Sequence, residues 1–293
     1  MRILFVTANR LGDAVLSTGL LDHLIHIYPA ARITVACGPV AAGIFQRMPN
    51  LERIVVFSKQ PFGRHWLPLW GTTVTQWWDL VVDIRGSALS WLIPARRRAI
   101  MHPTTGHKTL QLARVLNLET APPPVAWFAP EDIATASRLL PRGRPVIVLA
   151  PTANWAPKVW PTERFVALFQ RLTETLLPGA VPVVIAGPGE TEAAIARRVI
   201  QGLPGTIDLV DRLSLPRIAA LLAQSSLFVG NDSGLMHLAA AAGAPTLGLF
   251  GPTSAEEYAP AGRRAAALAS PDSTMDGISV DAVVEAAQRL LMG

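Results

Sequence analysis

The 293-residue sequence predicts an α/β protein built from two Rossmann-like domains, each with a doubly wound parallel sheet. Short Val/Ile/Leu runs alternate with longer segments of helical period, which is the pattern of parallel strands joined by crossover helices. The apolar runs are continuous rather than alternating, as expected for strands covered on both faces. At roughly 100 to 200 residues per domain, the length favours two domains.

The first half of the chain supplies four predicted strands and one clear helix. Residues 13–28 place a stripe of apolar side chains at helical spacing, and Pro29 then stops the helix. The predicted strands are residues 3–7, 33–37, 54–57 and 80–84.

The second half repeats this organisation after the strongest Pro/Gly-rich segments, at residues 121–125 and 141–145. We therefore place the domain boundary between residues 142 and 143, which gives domains 1–142 and 143–293. Two facing sheets of this kind would form a ligand cleft at the carboxyl ends of their strands. Strands are predicted within residues 145–151, 181–187, 206–211, 227–232 and 245–251, and helices near 162–175, 190–200, 215–224 and 233–242.

The amino-acid composition limits the possible classes of protein and the kinds of partner it could bind. Half of the residues are hydrophobic and 16% are charged, which argues against a disordered chain. The single cysteine, Cys37, excludes an internal disulfide and a cysteine-based zinc cluster, and we expect it to be a buried thiol. The net charge of +5 favours anionic partners without choosing among them. Without a spanning apolar run or a signal peptide, we expect a cytoplasmic location.

Residues 61–107 combine five tryptophans with the run Arg96-Arg97-Arg98. Two interpretations stay open. The segment could meet an amphipathic acceptor at a membrane surface, or it could hold aromatic side chains packed under long loops beside a solvated arginine face.

The sequence does not match the common nucleotide-binding and metal-binding motifs. The loop after the first strand, residues 8–13, lacks the glycines of a dinucleotide fingerprint, and Glu192 occupies the third glycine position after Gly187-Pro188-Gly189. The tetrad at residues 106–109 lacks the Gly-Lys pair of a P-loop. A dehydrogenase is therefore disfavoured, and no residues suggest a metal site.

Residues 228–252 are the most informative stretch. A strand ends near Gly230, and Asp232 or Ser233 can cap a helix that begins at Gly234. The exposed amides of such a helix start form an anion site. The alternative is an ordinary strand, turn and capped helix.

This stretch resembles glycosyltransferase family 9, the ADP-heptose heptosyltransferases of lipopolysaccharide core synthesis. The family's D-S-G-x-x-H-x-A-A-A-x-G-x-P motif is matched at residues 232–245, followed by L-F-G-P-T at 249–253. Three shorter elements are similar to family elements: Arg10-Leu11-Gly12-Asp13 with Leu16, Asp79-Leu80-Val81-Val82-Asp83, and Lys158-Val159-Trp160-Pro161.

The resemblance implies a GT-B fold and an inverting, metal-independent transfer of heptose from an ADP-sugar, which is a co-substrate and not a cofactor. The amino-terminal domain would bind the acceptor and supply Asp13 as the base. The carboxyl-terminal domain would bind the donor: Lys158 on phosphate, Asp232 on a sugar hydroxyl, and the amides of Ser233 and Gly234 on the diphosphate. The resemblance further implies that Glu190 contacts the ribose. His237 matches the motif and either binds the donor or does no more than brace the loop.

The implied acceptor is an anionic, lipid-linked saccharide of the cell envelope, met at the inner face of the cytoplasmic membrane, and nucleic acid is not expected. We expect Arg10, Asp83, Arg85, Arg96 and Arg97 to bind it. Three alternatives stay open: a non-catalytic nucleotide-sugar binding subunit of an envelope-assembly complex, a family member that uses another nucleotide sugar, and a dehydrogenase with a degenerate loop.

Overall fold

A computed structural model describes residues 1–58 and 66–293 of the chain. These residues form two compact units, Met1–Trp127 and Phe128–Gly293. Each unit contains one sheet in which every described strand pair is parallel. The predicted α/β class is confirmed. Within the described ranges, no helix is both long and apolar enough to span a membrane.

The sheet of the first unit has the strand order β3-β2-β1-β4-β5. Its central strand β1 pairs with β2 on one side and β4 on the other, and its residues from Ile3 to Val6 are fully buried. Cys37 ends β2 fully buried, and this burial raises the pKa of its thiol to about 12, as expected for a core cysteine. The strands are β1 (Arg2–Val6), β2 (Arg32–Cys37), β3 (Leu51–Val56), β4 (Trp78–Asp83) and β5 (Ala95–Ile100).

The helix predicted at residues 13–28 is two helices that are separated at Ser17. The Ser17 hydroxyl donates to the Ala14 carbonyl at 2.7 Å and also lies 2.9 Å from the Thr7 hydroxyl, so it serves the turn between them. The helices of the first unit are α1 (Leu11–Leu16), α2 (Thr18–Ile27), α3 (Pro39–Ala42), α4 (Trp66–Thr73) and α5 (Lys108–Ala113).

The tryptophan-rich segment contains both buried and exposed aromatic side chains. Residues 61–65 lie outside the described residues. Among the rest, Trp78 is fully buried, with its indole N–H donating to the Thr73 carbonyl at 2.9 Å. By contrast, Trp70, Trp77 and Trp91 are exposed. The segment therefore combines packed and solvent-facing aromatic side chains.

The second sheet has the strand order β11-β10-β9-β6-β7-β8. Its interior strands are buried along their length, as continuous apolar runs require. The strand predicted within 206–211 is only two residues long. The strands are β6 (Val146–Ala150), β7 (Val181–Val184), β8 (Ile207–Asp208), β9 (Leu227–Asn231), β10 (Thr246–Phe250) and β11 (Ala265–Ala269).

The helix before β6 belongs to the second unit. Ser137 of this helix donates to the Gln224 side chain at 2.7 Å, and Asp132 lies 3.8 Å from the Arg217 guanidinium. The division between units therefore falls before this helix, at residues 127/128, whereas the sequence places it after the helix, at 142/143. The helices are α6 (Pro130–Leu139), α7 (Thr162–Thr175), α8 (Glu190–Gly202), α9 (Leu215–Leu222), α10 (Gly234–Ala241), α11 (Ala255–Tyr258) and α12 (Val280–Met292).

Candidate active site

The order of the second sheet reverses between β6 and β9. From β6 the chain builds outward through β7 and β8, and it then returns to the other side of β6 to build β9, β10 and β11. In open α/β sheets, ligands bind in the crevice that opens at the carboxyl ends of the strands flanking such a reversal. The loops that follow β6 and β9 are therefore expected to border a ligand site.

Lys158 and Asp232, one from each of these loops, form an ion pair. The Lys158 Nζ lies 2.6 Å from Asp232 Oδ2, and both side chains are largely buried. Thr253, from the loop after β10, donates its hydroxyl to the same oxygen at 2.8 Å. Three loops thus meet at one carboxylate. Sequence reasoning identified Lys158 and Asp232 but missed Thr253, although it lies in the L-F-G-P-T run.

The Lys158 loop is anchored by Trp160. This side chain is fully buried, packs edge-to-face on Phe165 at 5.0 Å, and donates its indole N–H to the Ile278 carbonyl at 3.0 Å. The Trp160 amide donates to Asn231 Oδ1 at 3.2 Å, which ties the loop to the end of β9. These contacts fix the position of the lysine ammonium group relative to Asp232.

Helix α10 begins at Gly234, as predicted, and its first turn faces this cluster. Ser233 is the N-cap residue in an extended conformation, but its side chain does not make the expected capping hydrogen bond. The Ser233 hydroxyl is buried and has no hydrogen-bond partner in the described structure. The helix start therefore presents a hydroxyl and backbone amides, which together suit an anion.

His237 lies one turn into α10, on the side that faces Asp232. Its Nε2 is 4.0 Å from Asp232 Oδ1, and the residue is buried. This position places a second basic side chain beside the carboxylate.

Glu190 begins α8 at the same sheet edge, after β7, and is exposed. The neighbouring Glu192 is the carboxylate that closes this loop, because its Oε2 accepts the Gly187 amide at 2.9 Å. The Thr152 hydroxyl lies 3.3 Å from the same amide, so the loops after β6 and β7 are joined. The local sequence does not indicate this role of Glu192, because the role depends on the folded loop.

The first sheet reverses its order between β1 and β4, and it carries the other predicted residues. Asp13 lies in the first turn of α1, immediately after the loop that follows β1, and is half-buried. Arg10 is the N-cap residue of α1 and is exposed. Both residues lie at the carboxyl edge of the first sheet.

Asp83 has a structural role instead of the ligand-facing position that we expected. It is fully buried at the end of β4, and its carboxylate accepts the Arg85 amide at 2.8 Å, the Ser87 amide and hydroxyl at 2.8 and 2.5 Å, and the Ser90 hydroxyl at 2.6 Å. With its oxygens occupied, Asp83 shapes the loop after β4.

Arg85 lies on the loop after β4 and connects it to the loop after β1. Its guanidinium donates to Asn9 Oδ1 at 3.0 Å and stacks over the rings of Phe57 and Trp66 at 5.3 and 5.1 Å. Burial lowers the pKa of Arg85, and the nearby Asp83 carboxylate opposes this shift. Arg85 remains a cation held beside the loop that leads to Asp13.

Arg96 and Arg97 lie elsewhere in the first unit. They are near the beginning of β5, where Arg97 aligns with Leu80, three residues before the carboxyl end of β4. Both are exposed, and Arg97 reaches Tyr28 at the end of α2 at 3.5 Å. The parallel register therefore separates them from Arg10, Asp13 and Arg85, so the structure does not group them with the other candidate acceptor residues.

In the part of the chain that the structure describes, no three His, Cys, Asp or Glu side chains cluster closely enough to hold a metal ion.

Comparison with known proteins places these features in a family context. The sequence model for Glycosyltransferase family 9 (heptosyltransferase) matches residues 87–280. Lipooligosaccharide heptosyltransferase 2 of Haemophilus influenzae is 24% identical over 305 aligned positions, which cover 89% of this chain and 86% of that protein.

Solved structures share the whole fold. A glycosyl transferase family 9 protein from Veillonella parvula superposes with a TM-score of 0.82 at 21% identity, covering 99% of this chain and 97% of the other. Heptosyltransferase WaaC of E. coli, solved with ADP, gives a TM-score of 0.77 at 19% identity over 99% and 100% of the two chains. The predicted GT-B fold is confirmed by these likenesses.

Proposed function

Because this chain belongs to glycosyltransferase family 9, the heptosyltransferase family, we propose that it transfers heptose or a related sugar from an ADP-sugar to an anionic, lipid-linked saccharide such as a lipopolysaccharide core. The chain is thus a glycosyltransferase of the cell envelope. The relatives support the sugar and the nucleotide, since one is a lipooligosaccharide heptosyltransferase and another was solved with ADP. We place the reaction at the inner face of the cytoplasmic membrane.

The donor site is assigned to the cluster at the β6/β9 reversal, and this cluster is the observation that carries the proposal. Lys158, Asp232 and Thr253 meet beside the first turn of α10. When ADP leaves the sugar, negative charge grows on the diphosphate and must be neutralised by cations and oriented amides. Lys158 supplies the cation, and the amides of Ser233 and Gly234 supply the dipoles.

The other donor contacts follow from this placement. Asp232 accepts a hydrogen bond from a hydroxyl of the sugar, while Lys158 and Thr253 hold its carboxylate in position. His237 braces the same carboxylate from within α10. Glu190, exposed at the start of α8 on the same sheet edge, receives the ribose hydroxyls.

Asp13 is proposed as the general base. The acceptor hydroxyl loses its proton to the Asp13 carboxylate as its oxygen bonds to the anomeric carbon, and the bond between that carbon and the ADP oxygen breaks. The attack comes from the face opposite ADP and therefore inverts the anomeric configuration. Arg10 and Arg85 provide positive charge for an anionic acceptor near Asp13, and no step in this scheme requires a metal.

Nucleotide binding and transfer test the two halves of this proposal separately. ADP is expected to raise the melting temperature of the protein more than UDP or GDP does, and transfer from ADP-heptose is expected to continue in EDTA. A shift with UDP or GDP but not with ADP would refute the ADP-sugar assignment. ADP binding with neither transfer nor donor hydrolysis would instead indicate a non-catalytic binding subunit.

The Asp13→Asn variant tests the base. Transfer should fall by about 10² to 10⁴-fold, because the base is lost, while the ADP-induced shift in melting temperature persists. Asp22→Asn is the matched control, since among the described residues Asp22 pairs only with His26, one turn along α2 at 3.4 Å. Equal turnover in the two variants would exclude Asp13 as the base.

A further inference from the structure

The first unit carries a strip of exposed apolar side chains, Leu67, Trp70, Trp91 and Leu92, which we call the Trp/Leu strip. Leu67, Trp91 and Leu92 are 70%, 67% and 66% exposed. Leu67 and Trp70 lie one turn apart on the same face of α4. The Trp70 indole N–H donates to the Leu92 carbonyl at 3.0 Å, which joins the two halves of the strip. Contiguous exposed apolar groups of this kind mark interaction surfaces.

Arginines border the strip on the same face of the sheet. The Arg98 guanidinium lies 5.9 Å from the centre of the Trp91 ring. Arg53 donates to the Thr72 carbonyl at the end of α4 at 2.9 Å. Arg96 is two residues before Arg98 on β5, so its side chain leaves the sheet on that face as well, and it is exposed. The strip is therefore apolar in its centre and basic at its margin.

The charge of the chain is distributed unequally between the two units. Residues 1–127 contain 13 Lys and Arg against 6 Asp and Glu, a formal charge of +7, whereas residues 128–293 contain 13 against 15, a charge of −2. All of the positive excess thus belongs to the unit that carries the strip. Such asymmetry favours a partner with a dense negative surface.

We propose that the Trp/Leu strip docks the first unit onto the surface of an anionic lipid bilayer. Tryptophan and leucine side chains enter the boundary between headgroups and acyl chains, while arginines keep their charge among the phosphates. The choice of a bilayer over a protein partner rests on the proposed function, whose acceptor carries a lipid. Docking would hold the acceptor-binding unit where that lipid is anchored.

Vesicle co-sedimentation of the full-length protein tests the proposal. Binding is expected to vesicles of equal parts phosphatidylcholine and phosphatidylglycerol but not to phosphatidylcholine alone, and it should weaken as salt rises. The double variant Leu67→Ser with Leu92→Ser, and separately Trp91→Ser, should each lower the partition coefficient about tenfold. Ile133→Ser, which removes an exposed apolar side chain from α6, is the control and should bind normally.

Melting temperatures of all variants establish that each is folded before binding is compared. Failure of the wild type to bind the anionic vesicles, or binding by the folded strip variants as strong as that of Ile133→Ser, would overturn the proposal. This assay contains no sugar donor, so its result is independent of whether the protein transfers heptose. If the strip serves docking, its variants should still transfer sugar to a water-soluble acceptor from which the lipid has been removed.

Discussion

Asp83 shows how a single buried carboxylate can organise a loop, here the one that carries the proposed acceptor residue Arg85. It accepts hydrogen bonds from two amides and two hydroxyls after β4, and this fixes the backbone that holds Arg85. A carboxylate with these donors is an efficient way to satisfy buried backbone N–H groups in a tight turn. We therefore regard Asp83 as a positioning residue.

Replacing Asp83 by Asn tests that role. The neutral amide cannot accept all of these hydrogen bonds, so we expect a loss of about 2 to 4 kcal/mol in the free energy of unfolding, measured by thermal or urea unfolding. Asp79→Asn is the control on the same strand, because half-buried Asp79 accepts, among the described residues, a single hydrogen bond, from the Arg2 amide at 2.7 Å. A raised acceptor KM with unchanged stability would instead indicate direct contact with the acceptor.

The difference between predicted and missed site residues has a physical cause. Lys158, Asp232 and Ser233 stand in contiguous motifs, so their types and spacing are visible in the sequence. Thr253 and Glu192 act through hydrogen bonds to loops that are distant or folded back on themselves. Nothing in a residue's local pattern reveals such tertiary partners.

Helix α2 shows that a whole element can also depend on tertiary contacts that its local sequence does not reveal. Gly19 lies inside this helix, where the segment Pro122–Pro123 passes so closely that any Cβ would overlap the Pro122 carbonyl oxygen. Thr18 reinforces the contact by accepting the Val125 amide at 2.9 Å. The proline-rich segment at residues 121–125, which the sequence indicated as a link between domains, is thus packed against the first unit.

Adding a methyl group at Gly19 should be costly for this reason. Gly19→Ala is expected to destabilise the protein by about 1 to 3 kcal/mol through overpacking against rigid backbone. Gly71→Ala is the matched control, since Gly71 is also within a helix but has open space around its Cβ position. The control should be neutral or stabilising by up to about 1 kcal/mol, because alanine favours helix. Similar melting temperatures for the two variants would contradict the packing described here.

Elements with strong apolar periodicity are predictable, whereas those with unusual composition are not. Helix α7 has the predicted bounds, Thr162–Thr175, because its buried side chains recur at helical spacing. Strands β5 and β11 were missed. Strand β5 contains three consecutive arginines, and β11 is almost entirely alanine, so neither has the β-branched pattern of a strand. Pairing with β4 and β10 determines their conformation instead.

At the scale of the whole molecule, two sheets with reversed strand order give each unit one edge suited to ligands. The fold class and both reversals follow from runs of apolar residues that can only be covered from two faces. The unequal charge distinguishes the two units: the basic unit suits an anionic partner, which agrees with the acceptor role proposed for it. The total charge of the chain conceals this difference.

The most direct test of this account is the affinity of the second unit's cluster for the nucleotide. Isothermal titration of the full-length protein with ADP should give a Kd that rises at least about tenfold in Lys158→Met, since a charge-assisted contact to phosphate is lost. Lys108→Met, which removes a lysine from the first unit, should bind ADP like the wild type once melting shows both variants folded. Unchanged ADP affinity in folded Lys158→Met would contradict the assignment of the donor site.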